Sequence, residues 1–170
     1  MKARFAASIA LAAGIAIGAS GCTFITPQAT TEHYAASDGI NADIGSVHVR
    51  NALLLTDDGE SAALAMTVTN PTDADVDLAV QYEDATGERV TQTLLIPAGT
   101  SIVFGGADEP ALPIADLGVA AGDFSALYFQ YGTAEGGEHL VPVLDGALPE
   151  YAAVLEAVPE QTPEPTADAD

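Results

Sequence analysis

The chain is poor in positive charge and in soft ligand atoms: four Lys and Arg stand against 25 Asp and Glu, with one cysteine, two methionines, three histidines and no tryptophan in 170 residues. Each shortage excludes something. A single cysteine can form neither an intramolecular disulfide nor a thiolate zinc cluster. A formal charge of −21 repels phosphate backbones and anionic lipid headgroups, so nucleic-acid and polybasic membrane-binding functions fall away. The 48% apolar content is too high for a disordered chain. No apolar run reaches the roughly 20 residues that cross a bilayer as a helix.

What is present begins with an address. Lys2 and Arg4 precede an apolar stretch from Phe5 to Ile17, and the small residues Gly18 to Gly21 lead into Cys22. This is the order of a secretory signal, with a positive start, an apolar centre and small residues at the cut. Ala19-Ser20-Gly21-Cys22 resembles a bacterial lipobox, with Ala19 where such sequences prefer Leu. The resemblance implies diacylglyceryl attachment at Cys22 and removal of residues 1–21. The remainder then contains Arg50 and Arg89 as its basic side chains and no lysine, so the lipid would have to hold it at the membrane.

Residues 22–39, with Pro27 and many Thr and Ala, read as a tether. Residues 40–146 read as the folded domain. Apolar residues alternate along Val47 to Leu55, Leu64 to Thr69, Val76 to Tyr82, Val90 to Ile96, Ser101 to Phe104, Phe124 to Tyr131 and Glu138 to Leu144. Asp57-Asp58-Gly59, Asn70-Pro71, Gly87, Pro97-Ala98-Gly99 and Gly136-Gly137 separate these runs with turn-forming residues. The stretch 107–122 reads as an irregular connection. About seven strands without a helical period predict an all-β fold, a single antiparallel β-sandwich. Residues 147–157 read as a short docked segment, and residues 158–170, rich in Pro, Glu, Asp and Thr, as a tail without a core.

The sequence from about Ile44 to Leu144 resembles the extracytoplasmic copper-chaperone family called PCuAC, and especially its actinobacterial lipoprotein relatives of the LpqE type. The resemblance rests on Val47-His48-Val49-Arg50-Asn51-Ala52, on Ala65 to Pro71, and on Leu95-Ile96-Pro97-Ala98-Gly99-Thr100. Leu117-Gly118 with Ala121-Gly122-Asp123, and Leu140-Val141-Pro142-Val143, complete it. It implies a cupredoxin-like or immunoglobulin-like sandwich outside the cytoplasmic membrane. In the copper-binding members, Met and His in the hairpin after the third strand and in a later loop hold Cu(I). Here the corresponding stretches, 82–88 and 104–117, contain neither residue, so no copper ligand carries over.

Three soft ligands within the domain, His48, Met66 and His139, form the alternative metal set. Their alternation with apolar neighbours reads Met66 as core and both histidines as solvent-facing. Asp73, Asp75 and Asp77 with Asp84 imitate an EF-hand calcium loop, but Leu78 occupies the position where that loop needs Gly. No nucleophile elbow, paired metal-ligating histidines or phosphate-cradling glycine loop occurs. The expectation is a non-catalytic, cofactor-free module, anchored to the membrane through Cys22 and serving an envelope protein partner. The alternative is a copper-binding protein using the non-standard His and Met ligands.

Overall fold

A computed structural model of the chain describes residues 2–19, 36–106 and 110–158. Cys22, most of the 22–39 tether and the tail beyond Val158 lie outside the described residues. The chain divides into two compact units, Met1–Tyr34 and Ala35–Asp170. In the first, α1 (Lys2–Ala19) is an 18-residue helix rich in Ala, the strongest helix former. Among the described residues, no helix is long and apolar enough to cross a membrane.

Among its described residues, the second unit is all-β with one short helix. Its strands are β1 (Ile40–Ile44), β2 (Val47–Leu55), β3 (Ala62–Asn70), β4 (Val76–Glu83), β5 (Arg89–Ile96), β6 (Thr100–Phe104), β7 (Leu112–Ile114), β8 (Phe124–Tyr131) and β9 (Gly137–Leu144), followed by α2 (Pro149–Ala157). They form one curled sheet in the order β5-β4-β8-β9-β2-β3-β6, with β1 added to β2 and β7 to β3.

Two features correct the expectation of about seven purely antiparallel strands. Nine strands are present among the described residues, and β2 and β9 run parallel at Leu54↔Val143 and Leu55↔Leu144. β1 is short and half polar, and β7 is three residues long with Pro113 at its centre, so neither carries a long alternating run. The parallel pair joins residues 89 positions apart, beyond the reach of any local pattern.

The inward faces meet in one core. Val47, Val49, Leu64, Met66 and Val68 from β2 and β3 belong to the same buried cluster as Leu78, Val80, Leu127, Phe129, Val141 and Val143 from β4, β8 and β9. Each large apolar side chain buried there contributes about 2 kcal/mol. β8 lies between β4 and β9, and its Ser125, Leu127 and Phe129 are buried while Phe124, Ala126 and Tyr128 face outward.

A smaller cluster lies under α2. Leu53, Leu55, Ala63 and Ala111 receive Tyr151, Val154 and Leu155. Pro149 in the first turn suits a position whose N–H would have no helical partner, and Glu150 complements the positive helix start. The segment 147–157 is therefore a docked helix.

Candidate functional site

The two stretches singled out by the family resemblance meet in the fold. The β4–β5 hairpin folds because Asp84 accepts hydrogen bonds at Oδ1 from Thr86 N (2.8 Å), Thr86 Oγ1 (2.7 Å) and Glu88 N (2.9 Å), while Gly87 supplies the positive φ of the turn. These bonds, the Thr86 hydroxyl first, hold the Asp84 carboxyl below the usual carboxylate range. The hairpin tip then docks on the segment after β7: Ala85 N donates to Asp116 O at 2.7 Å. Gly118 is needed at this junction, because a Cβ there would lie 2.7 Å from the Ala85 Cβ. Gln92 Nε2 on β5 adds a 2.7 Å bond to Pro113 O.

Beside this junction, the outer face of β4, β8 and β9 holds a groove of about 290 Å³. The rows of side chains on this face follow from register. Tyr82↔Leu127 and Ala126↔Leu140 put Glu83, Ala126 and Leu140 side by side, and Gln81, Tyr128 and Glu138 form the next row. Phe124, opposite Pro142, closes the end nearest the hairpin. Ala126 is the low point between Phe124 and Tyr128. The Tyr128 ring lies along the strand over Gly136, where a Cβ would come within 2.5 Å of its hydroxyl oxygen.

At the β5 margin of the groove Arg89 Nη2 lies 3.5 Å from Glu83 Oε1, both two-thirds exposed, a weak pair in water. On the other margin, Glu138 takes part in no ion pair among the described residues.

The alternative metal set is not assembled. His48 pairs in register with Thr69 on the outer face of the β2–β3 ladder, whereas Val49 pairs with Val68 on the inner face. Met66 belongs to that inner face, is 2% exposed and lies opposite Phe104. His48 and Met66 thus sit on opposite sides of one sheet and cannot share a copper ion. His139 corrects the expectation of a solvent-facing histidine. It shares the inward face of β9 with Val141 and Val143, half-buried, with its ring centroid 6.0 Å from that of Phe129. Among the described residues, no three His, Cys, Asp or Glu side chains converge as a metal-holding group.

His48 instead joins an ionic cluster at the β1–β2 hairpin. Asp43 Oδ1 lies 2.7 Å from His48 Nδ1 and 2.6 Å from Arg50 Nη2. Arg50 also donates from Nη1 to the Val49 carbonyl at 2.8 Å. The Arg50 bond first, then that of His48, holds the Asp43 carboxyl below its ordinary value. Every charge in this cluster is satisfied within it, which suits a clip between two strands. The aspartates of the calcium-like stretch are also divided: Asp75 Oδ1 accepts from Ala98 N at 2.8 Å, Asp77 lies within β4, and Asp84 closes the hairpin beyond it.

Sequence reading missed the groove, although a signal existed. Phe124 and Leu140 are apolar residues on strands whose opposite phase already fills the core. No known protein-family model matches the chain, and no curated protein matches its sequence.

Proposed function

We propose that this chain is a lipid-anchored, extracytoplasmic binding module without catalytic activity, which engages an envelope protein through the end of the domain where the 83–89 hairpin and the 112–118 segment meet. The observation that carries this reading is the junction itself. Ala85 N to Asp116 O and the close approach of Gly118 lock two segments together, and a groove lined by both charged and apolar side chains opens beside them. A junction of this kind presents a shaped surface from rigid strands. The curl of the sheet, whose β1-β2-β3-β6-β7 and β4-β5-β8-β9 portions are joined by the short β2–β9 pair and close around one core, supports a cupredoxin-like or immunoglobulin-like sandwich. The resemblance to the copper-chaperone family in strand and turn residues, with His48 and Met66 on opposite sheet faces, favours a partner-binding role over copper delivery.

The positive start, apolar stretch and small residues before Cys22 support the anchor. Replacing Cys22 with Ala should move the chain from the membrane fraction to the medium, and an inhibitor of lipoprotein signal cleavage should leave a longer precursor. A photo-cross-linking side chain at Glu88, on the exposed hairpin, should capture one discrete envelope protein in cells. The same probe at Thr133, in the turn between β8 and β9, should not. Unchanged fractionation would overturn the anchor, and absent or indiscriminate capture would overturn the partner.

A further inference from the structure

On the two strands that border the groove, polarity is inverted. In β8, Ser125 is buried while Phe124 is 62% exposed. In β9, His139 turns inward while Leu140 is 63% exposed. The core fixes this phase: Leu127 and Phe129 commit β8, Val141 and Val143 commit β9, and a one-residue slip would expose all four. Such local breaches of the hydrophobic pattern mark functional surfaces. Here they fall on neighbouring strands, and pairing of Ala126 with Leu140 and of Phe124 with Pro142 makes them contiguous.

Charge says what covers the patch. Carboxylates flank it, Glu83 toward β4 and Glu138 on β9, and the whole chain carries −21. A second copy or another acidic chain would bring like charges together across a partly dry surface, a costly arrangement. A cation sitting over Ala126 would instead lie between Glu83 beside it and Glu138 in the next row, gaining ionic attraction to both. Arg89 is already drawn to Glu83 at 3.5 Å. We infer that the outer face of β8 and β9 binds a cationic segment of a partner protein, in which Lys or Arg alternates with apolar residues. The apolar residues cover Phe124 and Leu140, and the cations sit between Glu83 and Glu138. This inference rests on the reading of the chain as a partner-binding module and names the chemistry of its partner.

The test uses the purified full chain and a synthetic peptide in which lysine alternates with leucine, followed by amide NMR shifts. Shifts should concentrate on residues 124–128 and 138–140. Phe124→Ser combined with Leu140→Ser should weaken binding at least tenfold, and Glu83→Gln with Glu138→Gln at least threefold. Leu95→Ser, on exposed β5, should leave binding unchanged. Phe124, which lines the groove, and Leu140, beside it on the same face, are largely exposed, so their variants should keep the parental unfolding midpoint.

Equal affinity for a lysine–glycine peptide, or binding indifferent to the Phe124 and Leu140 changes, would overturn the inference in favour of undirected attraction to an acidic surface. Absence of peptide binding would also overturn it. So would self-association in sedimentation that Phe124→Ser abolishes, which would assign the face to a second copy. The two readings fail separately: a partner captured from Glu88 without peptide binding refutes only the groove chemistry. Peptide binding without any captured partner refutes only the envelope-module reading.

Discussion

Asn70 is fully buried at the end of β3, and its amide joins two turns. Nδ2 donates to the carbonyls of Ala74 (2.8 Å), Ile96 (3.0 Å) and Pro97 (3.2 Å), and Oδ1 accepts from the Thr72 N–H and hydroxyl. Asn70→Ala would leave several of these groups without partners and should cost about 3 kcal/mol. In urea unfolding the midpoint should fall with an unchanged slope. The Asn-Pro pair was legible as a strand stop, but its role in fastening the 97–99 turn was not, because that contact spans 27 residues. Asp43 supplies a pH-dependent counterpart. Its folded-state pKa lies below the unfolded value because Arg50 and His48 bond its carboxylate. The stability it confers is therefore present above about pH 4 and is lost as pH falls through the folded value. Asp43→Asn should flatten that part of the acid limb in a stability–pH profile; an unchanged limb would show that the cluster does not couple to folding. Residue phase was the weak point of sequence reading. Alternation in β9 allows two assignments, and only packing of Val141 and Val143 decides that His139 turns inward and Leu140 outward.

At the level of elements, the long strands were legible because one face of each repeats with period two, as in Leu64, Met66 and Val68 of β3. β7 was not, since three residues with Pro113 at their centre hold no pattern, and β1 was passed over although Ile40, Ala42 and Ile44 alternate with Asn41 and Asp43. For the segment 147–157 the sequence predicts docking but not its form, and the nine residues of α2 bury no side chain fully. Tertiary contact decides it. Tyr151 donates a hydrogen bond to Asp38 Oδ2, fastening α2 to the chain just before β1. That bond, reinforced by burial, pushes the Tyr151 phenol up to about 12. A raised pKa means its stabilising contribution is complete below the unfolded value near 10 and is lost as pH rises toward 12. Phenolate absorbance should therefore show a tyrosine that ionises near pH 12, and Asp38→Asn should bring that transition back toward about 10. The same variant should speed amide exchange in α2 while leaving β2 and β3 protected, because the helix opens as a separate unit. Acceleration throughout the sheet would mean instead that α2 is integral to the core.

At the scale of the whole molecule, charge was legible without any structure, but its placement was not. Twenty-five acidic side chains against four basic ones make self-repulsion a long-range force on the fold, opposed locally by Asp43 with Arg50 and by Glu83 with Arg89. These pairs sit near the surface and are worth little individually in water, whereas the repulsion sums over many pairs. Raising ionic strength from about 0.01 M to about 0.15 M shortens the screening length from about 30 Å to about 8 Å. That removes distant repulsion while sparing contacts of 2.6 to 3.5 Å, so the thermal midpoint should rise, equally with sodium or potassium chloride. A falling midpoint would show that the few ion pairs outweigh the excess of acid. Peptide affinity at the β8–β9 groove should fall over the same range, because screening weakens attraction to a cation as surely as repulsion between carboxylates. Opposite salt responses of folding and binding in one chain would identify the acidic surface as a feature that stability opposes and recognition uses.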